Sequence, residues 1–237
     1  MKVRNALILA AGRGRRLGGA SGGLPKSLID VGGRTTIERQ CDALAHVGVS
    51  HTSVVVGYRQ DLFRERLSAQ PGVSFVENPR YESTDLLESF RLGMDALGDG
   101  GWQLLADTLF HPSFLDRMAA CPADLVLGLD RHPCGEEEMK LRLDGRRPVQ
   151  MSKEQDPARA DGEFVGVCLL RGAGLDRLRS VVHQLHREGD VAHLYEGAFQ
   201  RLMDLDDPGL AVVDLTGEPW IEVDFPEDLE RARAMFG

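Results

Sequence analysis

The sequence predicts an α/β fold: a doubly wound, mixed but mostly parallel sheet with a small antiparallel flap on one side. Three observations carry that reading. Short apolar runs such as ALILAA at residues 6–11 suit strands buried on both faces. Through the first half these runs alternate with segments of helical period, the pattern of successive βαβ units. In the second half DLVLGLD, MKLRLDG and RPVQMSK follow one another with no helix between them, as short antiparallel strands do.

Residues 5–11 form the first strand, ended by Gly12. The next stretch carries Gly14, Gly18, Gly19, Gly22, Gly23 and Pro25, too many breakers for a helix, and stays a loop. From Thr36 to Val47, Ile37, Cys41, Leu44 and Ala45 recur at helical spacing, with Gly48 as the C-cap. HTSVVVG is the second strand, DLFRERL the second helix and VSFVENP a third strand. TDLLESFRLGMDAL follows as a helix and WQLLADTLF as one buried strand. The three short runs named above make the flap as a meander. FVGVCLLRG is a strand, LDRLRSVVHQLHRE and HLYEGAFQRLMD are helices, and LAVVDLTG and WIEVDF are strands. Pro226 opens the last helix, PEDLERARAMF. Without repeats, low-complexity tracts or long linkers, residues 1–237 are expected to form a single domain.

Charge narrows the function. The chain has a formal net charge of -9, which argues against a nucleic-acid partner. Between residues 2 and 34, however, Lys2, Arg4, Arg13, Arg15, Arg16, Lys26 and Arg34 face Asp30 alone. A small polyanion is to be met there. Lys2 and Arg4 before ALILAA look like the start of an export signal, but the apolar run ends too soon. No later stretch is long and apolar enough to span a bilayer, so no membrane partner and a cytoplasmic location are expected. Cys41, Cys121, Cys134 and Cys168 have no zinc spacing and read as reduced packing residues. His111, His132, His183, His186 and His193 show no ligand spacing either.

A buried strand running into a glycine-rich turn is a phosphate cradle, because backbone N–H groups approach an anion closely only where side chains are absent. A Walker loop would place Gly before Lys26, and here Pro25 stands there. A dinucleotide fingerprint would put a third glycine where Leu17 stands.

LAAGRGRRLG followed by LPKSL instead resembles the signature of nucleotidyltransferases that couple a nucleoside triphosphate to a phosphorylated sugar or alcohol. Gly12, Gly14, Arg16, Pro25 and Lys26 occupy its positions. ENPRYESTDLLESF resembles the base-binding segment, LLADTLF and WIEVDFPEDLERA the two metal-aspartate segments. The region from Glu137 to Val167 is similar to the acceptor side of cytidylyltransferases acting on phosphocholine, inositol phosphate or aminoethylphosphonate. The resemblance implies the Rossmann-like fold of nucleotide-diphospho-sugar transferases, with residues 1–110 as the nucleotide-binding half and 111–237 as the acceptor-binding half.

It also implies roles. Leu9, Ala10, Ala11, Gly12, Gly14 and Arg15 would cradle the triphosphate, and Arg16, Lys26 and Lys153 would be catalytic cations. Ser83, Thr84, Asp85 and Ser89 would meet base and ribose. Asp107, which also reaches the nucleotide, and Asp224 would hold Mg²⁺. Lys140, Glu163 and Trp220 would bind the acceptor, with Tyr81 and Phe164 as further aromatic candidates against an ordinary core role. Lysine usage adds a separate argument: only Lys2, Lys26, Lys140 and Lys153 occur among 28 Lys and Arg residues. Where Arg fills nearly every cation position, a retained Lys suits a compact point charge.

Two departures stand out. Ala106 precedes Asp107 where the family writes Gly, a small change. Asp85 and Leu86 follow Thr84 where phosphocholine-type members often carry paired asparagines. An Asp carboxylate accepts from cytosine N4 or from guanine, which loosens the base assignment. The favoured reading is CTP as donor and a small phosphorylated or phosphonylated alcohol as acceptor. The alternatives are a sugar-1-phosphate nucleotidyltransferase using UTP, GTP or dTTP, an NAD-binding oxidoreductase, and a nucleotide-binding module without turnover. The sequence leaves room for a homodimer.

Overall fold

The computed structural model describes residues 3–189 and 195–237; Lys2, His193 and the start of the helix expected from His193 lie outside the described residues. Strand β1 (Asn5–Leu9) leads into the glycine-rich loop, which ends on a small hairpin of β2 (Asp30–Val31) and β3 (Arg34–Thr35). Helix α1 (Thr36–His46) begins in a reciprocal cap. The Glu38 amide donates to Thr35 Oγ1 at 3.4 Å and the Thr35 amide to the Glu38 carboxylate at 2.8 Å. Strand β4 (His51–Val56), helix α2 (Gln60–Arg66), strand β5 (Val73–Glu77), helix α3 (Leu86–Gly93) and strand β6 (Gly100–Leu105) complete the alternating half. As expected, β1 lies between β4 and β6, parallel to both, and β5 extends the sheet beyond β4.

Alternation along the strands sorts side chains into two cores. Leu7, Leu9 and Val55 face a layer with Leu87 and Phe90, whereas Ala6, Ile8, Val54 and Val56 face Ile37, Leu44 and Phe63. Burying each large aliphatic side chain contributes roughly 1.5–3 kcal/mol, so both faces must be covered by helices.

The structure departs from the sequence reading in three places. WQLLADTLF is not one strand. β6 stops at Leu105 and β7 (Thr108–Phe110) starts after Ala106 and Asp107, which form a turn at the carboxyl end of the sheet. A short helix, α4 (Ser113–Ala119), then follows where none was expected; it has two turns behind Pro112, too short for a periodic signal. The second half is also not a three-strand meander. β8 (Leu125–Asp130) is nearly all buried and sits inside the main sheet, while β9 (Lys140–Asp144) and β10 (Arg147–Ser152) form the antiparallel flap as a hairpin.

Strand β11 (Gly162–Arg171) joins these parts: it pairs antiparallel with β6 and β9 along one edge and with β8 along the other. A bulge between Phe164 and Cys168 makes this possible. Gly166 lies there at φ +73, where a Cβ would stand 2.8 Å from Thr108 Oγ1. β12 (Leu210–Asp214) adds to β8 in parallel. Helices α5 (Gly172–Arg187) and α6 (Glu196–Asp204) pack on the same face as α3.

β13 (Trp220–Glu222) pairs with β7, and α7 (Pro226–Phe236) closes the chain. A small third core of Leu17, Ile29, Val31, Leu109, Ile221 and Leu229 fastens the glycine-rich loop to β7, β13 and α7. The four cysteines are free, with Cys41 and Cys168 inside the cores. Among the described residues no helix is long and apolar enough to cross a membrane.

Candidate active site

A cleft of about 390 Å³ opens at the carboxyl ends of β1 and β6, where the loop after β1, the turn at Asp107 and the segment after β13 converge. Each piece is held there by local chemistry. Gln40 on α1 donates through Nε2 to the carbonyls of Leu105 at 2.7 Å and Thr108 at 2.8 Å, so the two residues between them form a fixed turn. Pro25 leads into a single 3₁₀ turn, Lys26–Leu28. The Lys26 stem crosses Gly14, whose φ of +61 and missing Cβ both matter: a Cβ would lie 3.1 Å from Lys26 Cγ. At the third piece, the Asp228 carboxylate accepts from the amides of Asp224 at 3.1 Å and Phe225 at 2.8 Å. Asp228 therefore caps α7, and the Asp224 side chain is left for the cleft.

The charges then meet. Lys26 Nζ is ion-paired with both Asp107 and Asp224. Arg16 donates to Asp224 at 2.7 Å and lies 3.3 Å from Glu137 across the cleft mouth. Glu222 joins Asp107 and Asp224, and one oxygen from each of the three lies within 4.8 Å of the others. Burial works against the Lys26 ammonium, but Asp107 and then Asp224 outweigh it and raise its pKa above the ordinary value. Burial, reinforced by Asp107 and Asp224, pushes the Glu222 carboxyl up to about 8. Asp224 feels burial too, yet Lys26 and Arg16 hold its pKa below the usual range. Asp107 Oδ1 is buried without a hydrogen-bond partner among the described residues. Three carboxylates with an orphaned oxygen are a donor set that fits a hard divalent cation.

Of the residues singled out in the sequence, Leu9, Ala10, Gly12, Gly14, Arg15, Arg16, Lys26, Asp107, Lys153 and Asp224 line this cleft. Other candidates stand elsewhere. Ala11 is buried behind the loop, and its carbonyl accepts from the Tyr58 amide. Arg13 turns away to Glu82 at 3.4 Å and to the Tyr58 ring. Ser83 and Thr84 bond the Arg80 carbonyl, and Ser89 is buried with Asn78 donating to its hydroxyl at 3.0 Å, so these three shape the segment before and within α3. Asp85 stands exposed at the N-cap of α3 and makes no capping bond, beside Leu86, which does line the cleft. Tyr81 packs near Tyr58.

Lys140 is a correction. It is fully buried, and Nζ donates to the carbonyls of Gly135, Glu136 and Glu138 at 3.0–3.1 Å. All three of its donors are spent on fastening one loop, so it has none for an acceptor. Glu163 is buried, 3.3 Å from His132 Nε2. Trp220 walls a neighbouring cleft of about 500 Å³ that shares Lys153, Glu222 and Asp224 with the first. In that second cleft the Trp220 indole donates to Asp130 at 2.9 Å, and His132 lies 3.3 Å from both Asp130 and Glu163.

Residues 6–134 match the model of the MobA-like NTP transferase domain. The chain belongs to that family. It is 29% identical over 98% of its length to the CMP-5'-(3-aminopropyl)phosphonate synthase of Streptomyces rubellomurinus, covering 38% of that protein. It is 30% identical over 97% of its length to the bifunctional IPC transferase and DIPP synthase of Rubrobacter xylanophilus, covering 51% of it. The chain thus spans about half or less of these relatives. The fold matches that of the inositol-1-phosphate CTP transferase from T. maritima, with a TM-score of 0.82, 24% identity and coverage of 99% of this chain and 96% of that one.

Cleft-lining residues that were not among the candidates read from the sequence include Glu222, Glu196, Leu86 and Met139. Glu222 had a signal: it stands two residues before Asp224 at the end of a strand, where side chains two apart share a face. Glu196 had none, because it arrives from a helix far along the chain.

Proposed function

We propose that this chain transfers CMP from CTP to a small phosphorylated or phosphonylated alcohol, releasing pyrophosphate. The observation that carries the reading is the meeting of Arg16, Lys26, Asp107 and Asp224 in one cleft, with Lys26 and Asp224 in contact although 198 residues apart in sequence. The name of one relative, a CMP-phosphonate synthase, supports a phosphonate acceptor.

In the reaction an oxygen of the acceptor dianion bonds to the α-phosphorus of CTP and the bond from that phosphorus to the bridging oxygen of the β-phosphate breaks. The attacking dianion has no proton to lose, so positioning and charge neutralisation replace a general base. Asp107 and Asp224, with Glu222 beside them, would hold Mg²⁺, which supplies positive charge at the α-phosphate when bound. Backbone N–H groups of the loop after β1 cradle the phosphates, with Arg15 and Arg16 offsetting the charge of the departing pyrophosphate. Lys26 stands between the attacking oxygen and the α-phosphate, and Lys153 faces them from the flap side. Asp85, exposed and without a capping bond beside the cleft-lining Leu86, would accept from cytosine N4. Such a reaction has its donor in the cytoplasm.

Pyrophosphate release measured for CTP, UTP, GTP and ATP with Mg²⁺ and a panel of phosphonate, phosphate and hexose 1-phosphate acceptors tests this. CTP with a non-sugar acceptor is expected to give the highest kcat/KM, and Asp107→Ala to lower it by about a thousandfold or more. Release only with hexose 1-phosphates, or an active Asp107→Ala protein, would refute the reading.

A further inference from the structure

The buried ammonium of Lys140 has no part in the transfer step, yet the loop it fastens stands between the two clefts. Lys140 opens β9, where its backbone is fixed on both sides by pairing with Ser152 of β10 and Glu163 of β11. From that anchor Nζ donates to the carbonyls of Gly135, Glu136 and Glu138. A further tie runs within the loop, from the Gly135 amide to the Glu138 carboxylate at 2.8 Å. On the strand side the Phe164 amide donates to the Met139 carbonyl at 2.8 Å. What the loop presents is divided between the clefts. Met139 lines the first, as Phe164 does, whereas Glu137 and Glu138 line the second. Glu137 also reaches Arg16, 3.3 Å away on the glycine-rich loop, but that pair is exposed on both sides and holds little by itself. Residues 135–139 are thus a partition, and the buried ammonium is what fixes it.

Stability alone is a weak reason to keep such a group. Exchanging a buried ionic side chain for a packed apolar one is often neutral or stabilising, so the charge is better explained by the geometry it imposes. A compact ammonium suits that task. Its three donors radiate from one point and can meet three carbonyls around a bend, whereas a guanidinium holds its donors in one plane. In a chain with only four lysines among 28 Lys and Arg residues, this accounts for a lysine here. Resting on the transferase reading, we propose that Lys140 is a positioning residue for the acceptor. It touches neither substrate; through residues 135–139 it fixes the opening by which the acceptor, seated in the second cleft, reaches the triphosphate in the first. That opening lies where the partition meets the wall the clefts share, Lys153, Glu222 and Asp224. A loosened partition would hold the acceptor in more than one pose, which costs binding as well as rate. The triphosphate rests instead on the glycine-rich loop and the carboxylates, so its binding should not feel the loss.

Two readouts test this. Pyrophosphate release is measured with CTP and Mg²⁺, and with 2-aminoethylphosphonate, phosphocholine and inositol 1-phosphate as acceptors, on wild type, Lys140→Met and Lys140→Gln, the last of which keeps two N–H donors. For the acceptor that wild type uses, KM is expected to rise by about tenfold or more in Lys140→Met and by less in Lys140→Gln, while the Kd of CTP stays within about threefold. A merely structural role would lower kcat through the fraction folded and leave both constants alone. The second readout needs no activity. Glu136, Glu137 and Glu138 stand in a row, which makes the loop a target for a glutamate-specific protease. Wild type should resist cutting there, and Lys140→Met should be cut about tenfold faster with cutting elsewhere unchanged. Rapid cutting of wild type within the loop, or an acceptor KM that keeps its wild-type value in both variants, overturns the proposal. The wild-type cleavage keeps the question decidable should neither variant fold. The two failures are separable: a wild type that releases pyrophosphate with none of the three acceptors refutes the transferase reading and this inference with it, whereas normal wild-type turnover with an unmoved acceptor KM in the variants refutes the inference alone.

Discussion

Gln40 is 2% exposed, and its amide nitrogen serves the two carbonyls that flank the Asp107 turn. Replacing it with Leu keeps the volume and removes both donors, leaving two backbone acceptors unpaired in the interior. We expect Gln40→Leu to lose about 1–3 kcal/mol of stability in urea unfolding and to lower kcat more than it raises KM for the triphosphate, because Asp107 loses its mount. A wild-type unfolding midpoint would show that the carbonyls find other donors. Residues of this sort set the limit of what the sequence discloses. Arg16, Lys26 and Asp107 could be picked out because the signature they resemble also includes their neighbours, glycines, a proline and a buried strand, and the fold brings the three together. Lys140 was misplaced for the opposite reason: its rarity as a lysine marked it as specialised, but three loop carbonyls rather than a substrate turned out to be its partners. Nothing in the residues around Gln40 announces what it holds.

One element is fastened by a single buried carboxylate. Glu88 on α3 accepts from Arg80 at 2.5 Å and from Arg91 at 2.7 Å, and His186 of α5 lies 3.5 Å away. It therefore ties the segment leading to Asp85 onto α3 and α5. The hydrogen bond from Arg91, then that from Arg80, outweighs burial and holds the Glu88 carboxyl down at about 2, below its ordinary 4.5. A depressed acid stabilises the folded chain fully above the unfolded value and loses that contribution as pH falls through the folded one. Glu88→Gln should accordingly be less stable than wild type by about 2 kcal/mol near neutral pH, allowing for water around Arg80, with the gap closing between about pH 4.5 and 2. Thermal unfolding of both proteins across that range measures it, and a gap independent of pH would remove ionised Glu88 as the fastener. At this scale the alternation of strands and helices was readable in the first half, where each segment has its own period. The break between β6 and β7 was not, since apolar residues continue on both sides of it, and β8 was mispaired because a short buried run does not say which neighbour it chooses.

The chain carries a formal net charge of -9, and in the cleft three acidic residues lie around one ammonium, that of Lys26. The third core brings the glycine-rich loop, β7, β13 and α7 together, and in doing so forces Asp107, Glu222 and Asp224 within reach of one another. Three carboxylates at that range repel strongly unless something positive stands between them, and Lys26 ion-pairs with two of them. Its role in the folded chain is therefore partly that of a counter-ion, and a divalent cation is the other species that can fill that role. Lys26→Met tests this with little disturbance, because the Met stem still packs on Gly14 while the charge is gone. Without divalent ions the variant should melt below wild type. Raising Mg²⁺ through the millimolar range should then return stability to the variant, by about 2.7 kcal/mol once the ion reaches a hundredfold excess over its Kd. The wild-type protein should gain less from Mg²⁺ alone, since its ammonium already neutralises the pair and must first be drawn away, which the phosphates of a bound triphosphate are suited to do. The decisive comparison is the Mg²⁺-dependent rise in Tm of the two proteins with no nucleotide present. Equal rises, or none in Lys26→Met, would mean that the three carboxylates do not share one cation and that the convergence of the two halves serves some other end.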